Sequence, residues 1–226
     1  MERKVQRIRK AIEPLYDSKP DWAIISEIAN GMGYMMDYDS PEQIMHEVGE
    51  LTPNYGGISY ARLDVSGLQW PCTTPDHPGT KYLYKEGFPR GKGKFSAIEF
   101  RPPDELVDEN YPPCLITGRN RYHSNTGTMT RRSTSLYKQS PESYIEVNPV
   151  DAAKLTVSEG EMVKVRSRRW ELTTKVLITD GVEEGTCFIP FHFPEAPVNL
   201  ITNPALDPVA NIPAFKGSAV VIEKMH

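Results

Sequence analysis

Four arginines and a histidine crowd one short stretch of this sequence. Residues 115–133 read LITGRNRYHSNTGTMTRRS, an apolar start that breaks at Gly118 and continues through small, polar and basic residues. No acidic residue occurs between Glu109 and Glu142. Glycine lets the backbone approach a ligand closely, hydroxyl and backbone N–H groups donate hydrogen bonds, and guanidinium groups bind phosphate through two parallel bonds. The stretch is therefore suited to an anionic ligand.

The same composition also fits an exposed basic loop or a contact with nucleic acid, because basic loops are common on protein surfaces. The chain of 226 residues carries a formal net charge of −4 and has a sequence pI near 5.8. Proteins that bind nucleic acid in general are normally basic. The charge balance therefore disfavours a nucleic-acid partner and leaves the exposed loop and the anion site as open alternatives.

Two blocks of the sequence resemble the C-terminal cofactor-binding domain of the molybdopterin oxidoreductases. The blocks are TGR at 117–119 with His123 and TGTMTRR at 126–132, and then FHFPEAPVNLITNPALDP at 191–208 with FK at 215–216. They occur in the order and at the spacing of that family. The family holds the enzymes with a bis-guanine-dinucleotide cofactor, among them formate dehydrogenases and periplasmic nitrate reductases. The resemblance is closest to the formate dehydrogenase α subunit.

This resemblance implies which residues contact the cofactor. In the family the first loop grips the pterin and phosphates of one cofactor half, and an Asn and a Lys at the positions of Asn199 and Lys216 lie on the pterin. A lysine there would place positive charge near the dithiolene and tune its potential. Related enzymes often have His-x-His-Thr-Gly where this chain has HSNTG at 123–127, so a contact by Asn125 departs from the pattern. The implied cofactor-binding residues are Thr117, Gly118, Arg119, Asn120, Arg121, Tyr122, His123, Ser124, Asn125, Thr126, Phe191, Asn199 and Lys216.

The resemblance assigns no catalytic and no metal-ligating residue to this chain. In the family, the Cys or selenocysteine that binds the metal lies far upstream, in a domain that this chain is expected to lack. The implied cofactor is bis-molybdopterin guanine dinucleotide (bis-MGD) with molybdenum or tungsten. An iron–sulfur cluster is expected only in the missing part or in a partner.

The resemblance to formate dehydrogenase implies oxidation of formate to CO2, with two electrons passing to iron–sulfur clusters. This piece would hold the cofactor and would be inactive alone. Expected partners are the rest of the catalytic subunit and an iron–sulfur electron-transfer subunit. One alternative is a non-catalytic molybdopterin-binding subunit of another such enzyme, for example a nitrate reductase. Another is a self-processing barrel enzyme, which needs a Gly–Ser junction; residues 217–218 are the only such pair, and fold alone is weak evidence of function.

The three cysteines are Cys72, Cys114 and Cys187, and no two of them form a C-x-x-C pair. This chain alone therefore predicts no iron–sulfur or zinc site, and unpaired cysteines fit the reducing cytoplasm, where we expect the protein to be. No run of about 18 apolar residues predicts a membrane span, and the charged N-terminus has no apolar signal-peptide core. We interpret Cys72 as a buried or loop thiol, the other two cysteines as core packing, and His192 as a structural residue rather than a general base.

Residues 1–104 are predicted to form a helical segment and connector that end the preceding domain of the family. Apolar residues at helix spacing predict one helix over 5–12 and a second over 22–32. Ser40, followed by Pro41, starts a third helix with a capping-box pattern. The three helices are expected to pack on one another, and residues 95–100 are expected to form a strand.

Residues 105–226 are predicted to be mainly β, which makes the fold class α+β to mainly β. A short helix is predicted over 148–155, with Asn148 as its N-cap and Pro149 in its first turn. Short strands at regular spacing suggest a closed barrel. The resemblance specifies a six-stranded double-psi β-barrel, the molybdopterin dinucleotide-binding domain, whose loops face the cofactor. The predicted strands are 114–117, 144–147, 162–167, 172–178, 186–190 and 219–222.

Overall fold

The computed structural model describes residues 2–225. The chain divides into two compact units, Met1–Ser96 and Ala97–His226, and each unit has its own buried core. The assignment of residues 1–104 to the end of a preceding domain and of 105–226 to the barrel domain stays a prediction. Within residues 2–225, no helix combines the length and the apolar character needed to cross a membrane.

Three α-helices and a two-stranded ribbon form the first unit. They are α1 (Asp21–Gly31), α2 (Pro41–Leu51), α3 (Tyr60–Val65), β1 (Lys4–Val5) and β2 (Leu68–Gln69). The helix predicted over residues 5–12 is wrong, because Val5 lies in β1 opposite Leu68 and residues 6–15 are not helical. Ile8 and Ile12 are 95% and 72% exposed. Their helical spacing finds no surface in this unit to pack against, and short helices depend on such packing.

The two later helix predictions for this unit are confirmed by α1 and α2. Pro41 takes the first position of α2 and Ser40 is its N-cap, but the Ser40 hydroxyl makes no capping bond. Instead, Gln43 accepts the N–H of Asp39 through its Oε1 at 2.8 Å. Of the two hydrogen bonds of a capping box, only the one to the Gln43 side chain forms. Its donor is the N–H of Asp39 rather than the predicted N–H of Ser40.

The buried core of the first unit is small. It consists of Ile58, Leu63 and Cys72, and the Cys72 thiol is fully buried, as interpreted from the sequence. Ile25 and Ile28 of α1 are 57% and 58% exposed. The expectation that the three helices pack on one another is therefore wrong within residues 2–96, because the apolar face of α1 is left largely uncovered.

Residues 95–100 form no strand, contrary to the prediction. Phe95 is fully exposed, and Ile98 and Phe100 are each 89% exposed. A strand requires a hydrogen-bonding neighbour, and no strand of the described part of the chain pairs with this segment.

The second unit contains seven strands and two helices among its described residues. They are β3 (Cys114–Gly118), α4 (Thr134–Gln139), β4 (Tyr144–Val147), α5 (Pro149–Leu155), β5 (Met162–Arg166), β6 (Glu171–Ile178), β7 (Thr186–Pro190), β8 (Ser218–Ala219) and β9 (Val221–Lys224). Their order in the sheet is β8-β3-β7-β4-β6-β5-β9. All six predicted strand segments are found. The predicted short helix is α5, capped by Asn148, whose Oδ1 accepts the N–H of Val150 at 2.9 Å.

One interrupted strand closes this sheet on itself. β8 pairs antiparallel with β3, and β9 pairs antiparallel with β5, although only Val220 separates β8 from β9. Val220 donates its N–H to the carbonyl of Pro113 at 3.1 Å. Because successive pieces of one strand form both ends of the sheet, the arrangement is a barrel, and the predicted double-psi β-barrel is confirmed. The strand count is seven rather than the predicted six because the interruption divides the last strand in two.

Alternate strand residues build the barrel core and leave the strand ends free to carry loops. Val163 and Val165 of β5 and Ile189 of β7 are fully buried, as expected for strands with one inward face. β3 and β7 are parallel, and Gly118 lies opposite Pro190. The carboxyl ends of parallel neighbours meet at one edge, so the segments that follow these two residues start side by side.

Candidate functional site

Two loops leave the barrel together at the carboxyl ends of β3 and β7. We name residues 119–133 the arginine loop and residues 191–203 the second loop. Phe191 donates its N–H to the carbonyl of Gly118 at 3.1 Å, which extends the parallel pairing by one residue into the second loop. The two sequence blocks that predicted the site are therefore neighbours in the fold, although 57 residues of chain (134–190) lie between the two loops.

His192 of the second loop forms hydrogen bonds to two backbone groups of the arginine loop. Its Nε2 accepts the backbone N–H of Asn120 at 2.9 Å, and its Nδ1 donates to the backbone carbonyl of Asn125. The side chain is completely buried. Burial lowers the pKa of His192, and the nearby His123 and Arg119 lower it further. Both ring nitrogens are engaged within the chain, which fits the interpretation of His192 as a structural residue; that it does not act as a general base stays a prediction.

His123 fixes the inner wall of the arginine loop. Its Nε2 donates to the carbonyl of Ser140 at 2.7 Å, and its Nδ1 lies 3.1 Å from Thr130 Oγ1. Asn120 Oδ1 accepts the N–H groups of both Tyr122 and His123. Both ring nitrogens of His123 are thus used within the chain, and the cofactor contact implied for this residue stays a prediction.

The outer side of the arginine loop presents polar groups to solvent. Arg119 donates from Nη2 to Oδ1 of Asn125 at 3.0 Å, and its guanidinium lies 5.7 Å from the centre of the Phe191 ring. Asn125 has a φ of +48°, a left-handed conformation that asparagine tolerates better than most residues. Ser124 and Thr126 are exposed. The geometry brings Arg119, Asn125 and Phe191 together, so the departure from the family pattern at residue 125 has a local structural role.

Arg131 is not free for a phosphate. Its guanidinium pairs with both carboxylate oxygens of Glu195 in the second loop, at 3.0 and 2.5 Å. Glu195 lies 64 positions away in the chain, so the local sequence around Arg131 does not predict this partner. Of the four arginines in this stretch, one therefore joins the two loops and three remain to meet an anion.

Lys216 reaches the same edge from a third segment, residues 204–217. Its Nζ donates to the carbonyl of Thr117 and lies 3.6 Å from where a Cβ on Gly118 would be. Thr117 is buried, and its hydroxyl donates to the carbonyl of Phe215 at 2.9 Å. The Thr117 hydroxyl therefore faces the chain, and its implied donation to a phosphate stays a prediction. Lys216, Gly118 and Arg119 share one end of β3.

Asn203 holds the segment that carries Lys216, and sequence reasoning did not single it out as a site residue. Its Nδ2 donates to the carbonyls of Ala214 and Gly217 at 3.1 and 2.6 Å, and its Oδ1 accepts the N–H of Ala205. Its own N–H donates to the buried hydroxyl of Ser218. The Gly–Ser pair at 217–218 is thus an internal part of the barrel. In the sequence, the feature that could have pointed to this role is an asparagine followed directly by a proline.

Asn199 differs from Asn203 in that its side chain is exposed. Only its backbone carbonyl takes part in a hydrogen bond, as the acceptor for Thr202 Oγ1 at 2.9 Å. Within residues 2–225 its amide group makes no hydrogen bond, which leaves one donor group and one acceptor available to a ligand.

A groove of about 650 Å³ lies beside the arginine loop. Residues 119–122 line it together with Tyr144 and Glu146 of β4. Burial raises the pKa of the Glu146 carboxyl, and burial with the neighbouring Glu146 raises the pKa of Tyr144. The predicted residues of the second loop and Lys216 do not line this groove. The structure therefore divides the predicted site between the groove and the edge where β3 and β7 end.

Metal-binding side chains are not clustered in the described residues. No group of three or more His, Cys, Asp or Glu residues within 2–225 is placed to hold a metal ion. Cys187 is buried in the barrel core and burial raises the pKa of its thiol, while Cys114 is half-buried. The chemistry that this site offers is the binding of an anionic, hydrogen-bonding ligand by two cations, an amide and an aromatic ring.

Comparisons with known proteins show what this chain is similar to. Residues 114–219 match the family described as the Molydopterin dinucleotide binding domain. The chain is 45% identical over 228 aligned residues to F420-dependent formate dehydrogenase subunit alpha of Methanocaldococcus jannaschii, a match covering 99% of this chain and 34% of that protein. It is 37% identical to the assimilatory nitrate reductase catalytic subunit of Bacillus subtilis, covering 95% of this chain and 32% of that protein.

Among solved structures, acetylene hydratase from Pelobacter acetylenicus superposes with a TM-score of 0.65 at 18% identity, covering 96% of this chain and 34% of that chain. At this identity the likeness shows the fold alone. The chain spans about a third of the length of the curated relatives that it matches.

Proposed function

We propose that this chain is the cofactor-binding part of a formate dehydrogenase α subunit, and the match of residues 114–219 to the Molydopterin dinucleotide binding domain family supports this proposal. The cofactor is bis-MGD with molybdenum or tungsten. When bound, that cofactor supplies the redox chemistry of the metal centre. The residues of this chain bind and orient it and contribute no metal ligand.

The observation that carries this proposal is the meeting of three segments at the carboxyl end of β3. Arg119 and Lys216 bring two positive charges to an edge where Gly118 has no side chain, and a Cβ at Gly118 would lie 2.7 Å from the Phe188 ring. Two cations beside a bare backbone suit phosphate oxygens. The free amide of Asn199 can both donate and accept, which suits the edge of a pterin. These residue types fit the proposed cofactor.

Formate is the proposed substrate because the formate dehydrogenase relative is more similar to this chain than the nitrate reductase relative, at 45% against 37% identity. The name of the first relative suggests F420 as the final electron acceptor, reached through an iron–sulfur subunit in the cytoplasm. The second candidate is the equivalent part of a nitrate reductase, favoured by the coverage of 95% of this chain in that comparison.

The test is to tag the chain in its native host and purify it gently with whatever remains attached. Metal content, pterin content and formate-dependent reduction of F420 would then be measured. We expect pterin with molybdenum or tungsten, and formate oxidation, only in fractions that also hold a larger iron–sulfur polypeptide. Nitrate reduction without formate oxidation would favour the second candidate. A chain that purifies without pterin, and binds none when offered, would overturn the cofactor assignment.

Replacing Asn199 with alanine should lower cofactor content without affecting the fold. The amide makes no hydrogen bond to the described residues, so the free energy of unfolding should change by less than about 0.5 kcal/mol. Loss of a hydrogen bond to a charged or strongly polar ligand costs about 1.5 kcal/mol or more, which is about tenfold in affinity. The measurement is pterin retained per chain after purification. Asn110→Ala, at another exposed asparagine, serves as control, and equal pterin in the two variants would remove Asn199 from the site.

The first unit supplies the surface for the proposed main partner, the rest of the catalytic subunit. Ile25 and Ile28 lie three residues apart on α1, so they share one face of the helix, and both are more than half exposed. A second apolar groove of about 790 Å³ in this unit is lined by Ile8, Ile12 and Trp22, among others. Exposed apolar surface of this kind is typical of interaction sites.

The length of the relatives supports one candidate for what covers this surface. They are about three times as long as this chain, so the remaining two thirds of such a subunit provides a body large enough to bury the α1 face. The described core of the first unit is small, so covering the α1 face would add to the stability of the unit. We assign the α1 face to that polypeptide.

Replacing both Ile25 and Ile28 with serine should weaken assembly and leave the chain folded. Burial of an isoleucine side chain contributes about 1.5–3 kcal/mol, so losing two should reduce association with the larger polypeptide by about a hundredfold or more. The measurement is recovery of that polypeptide with the tagged chain. Val65→Ser, at an apolar position on α3 that is 88% exposed, is the control. Equal losses from both variants would contradict the assignment to the α1 face.

A further inference from the structure

His192 is a buried titratable group that the proposed function does not use. Its ring spans the segment from Asn120 to Asn125, accepting the N–H of the first residue at 2.9 Å and donating to the carbonyl of the second. This segment contains six of the residues implied to bind the cofactor, and Arg119 precedes it directly. One side chain from the neighbouring loop therefore braces both ends of the segment, which Asn120 and His123 also hold from within.

The two partners of His192 fix its protonation state. A backbone N–H can only donate, so Nε2 must offer a lone pair, and a backbone carbonyl can only accept, so Nδ1 must carry the proton. Only the neutral ring protonated at Nδ1 satisfies both partners. A second proton on Nε2 would place that N–H against the N–H of Asn120, and the hydrogen bond between the two residues would break.

The adjacent His123 does not have this restriction. Its Nε2 also donates to a carbonyl, that of Ser140, but its Nδ1 faces the hydroxyl of Thr130. A hydroxyl can donate or accept, so a doubly protonated His123 keeps both partners. Two neighbouring histidines, with ring centres 5.7 Å apart, therefore differ in whether a second proton costs a hydrogen bond.

The charges that face His192 also favour its neutral form. The arginine loop contributes Arg119, His123 and Arg131, and the second loop contributes Glu195, whose carboxylate is paired with Arg131. Burial has the largest effect and lowers the pKa of His192 below its ordinary value. The hydrogen bond to Asn125 opposes it, and the weaker effects of His123 and Arg119 lower the pKa further. The neutral ring's contribution is thus complete above the ordinary value and is lost as pH falls through the lowered pKa.

We propose that His192 is a positioning residue that, as a neutral ring, holds residues 120–125 in the shape that binds the cofactor, and that its protonation in acid releases the loop and the cofactor. The cofactor half of this proposal rests on the proposed function, whereas the loop half does not. A protonated His192 also adds positive charge near an anionic ligand. The lost bond to Asn120 outweighs that charge because a displaced loop moves several ligand contacts at once.

The first test needs no cofactor. Ring ¹⁵N shifts of histidine in the full chain should show His192 protonated at Nδ1 and bare at Nε2 at neutral pH, and the Asn120 amide should be protected from hydrogen exchange. On acidification, protonation of Nε2 and loss of Asn120 protection should share one midpoint. The proposal would be overturned if the His192 ring were charged, or protonated at Nε2, at neutral pH. It would also be overturned if protection of the Asn120 amide did not change when the ring is protonated.

The second test uses the assembled complex and three variants. His192→Gln retains an acceptor for Asn120, His192→Asn retains a donor for Asn125, and His192→Phe retains neither. Pterin retained after dialysis should fall about tenfold or more across the acid transition in the original protein, as expected for loss of about one strong hydrogen bond. His192→Gln should retain pterin without that acid dependence, and His192→Phe should lose it at every pH.

The outcomes separate the two claims. An identical acid loss in the original protein and in His192→Gln, or tighter retention in acid, would overturn the positioning role. If the ring and amide measurements give the expected result but the protein never binds pterin, the loop half of the proposal stands and the proposed function is rejected. If the variants fail to fold, the ¹⁵N measurement on the original chain still decides the matter.

Discussion

Gly127→Ala should disrupt the arginine loop far more than Gly160→Ala disrupts its own turn. The two glycines have nearly the same left-handed conformation, with φ of +75° and +74°. A Cβ at residue 127 would lie 2.8 Å from the backbone carbonyl oxygen of His192 and 2.8 Å from Cδ of Arg131, whereas a Cβ at residue 160 would meet nothing within 4 Å. Because the backbone strain is nearly the same in the two variants, a difference between them measures the effect of the close contacts at residue 127.

The expected costs follow from that separation. An alanine in the left-handed region costs about 1 kcal/mol at residue 160. At residue 127 the arginine side chain can move but the His192 carbonyl is backbone, so the cost should rise to about 3 kcal/mol or more. Hydrogen exchange at the Arg131 amide, which donates to the carbonyl of Gly127 at 2.8 Å, measures local opening. Equal costs at the two positions would show that the contact with His192 is not a constraint.

Asn203→Ala should destabilise the barrel by about 2–4 kcal/mol, because each buried backbone group left without a partner costs about 1–3 kcal/mol. The substitution removes the donors to Ala214 and Gly217 and the acceptor for Ala205. Pterin content should also fall, since Lys216 lies on the segment that Asn203 holds. Hydrogen exchange at the fully buried Val163 of β5 reports opening of the barrel separately from the first unit.

Asn203→Asp provides the matched control. It keeps the acceptor for Ala205 but replaces the two N–H donors by a carboxylate facing two carbonyls, so it should destabilise at least as much as alanine. Asn199→Ala, in contrast, should leave exchange at Val163 unchanged. A stable Asn203→Ala variant with normal pterin content would refute the bracing role.

The barrel strands could be predicted because local pattern and final environment agree. Alternation in β5 and β6 marks inward and outward faces that the closed sheet then uses. Residues 5–12 have an equally clear helical spacing, but the first unit offers no surface to pack it against. Residues 95–100 have strand composition without a strand to pair with. In both cases the missing factor is a neighbouring surface, which no local pattern encodes.

The candidate site shows the same contrast between features that local sequence predicts and features that depend on residues distant in the chain. The positions of Arg119, Asn199 and Lys216 came from motif resemblance, and their cofactor contacts remain predictions. The pairing of Arg131 with Glu195 and the bracing by Asn203 depend on how loops fold over one another. Such pairings join residues distant in the chain, and sequence spacing gives no measure of their separation.

The interrupted last strand sets the order of events during synthesis. Until residues 218–224 have emerged, β3 and β5 both present unpaired edges, and such edges recruit other strands. The ribosome adds about 5–20 residues per second, so the arginine loop is made several seconds before the barrel that supports it can close. From the emergence of β5 until that last strand is made, both edges of the nascent chain are unpaired, and loading of any ligand at the loop has to wait for the strand that β8 and β9 share.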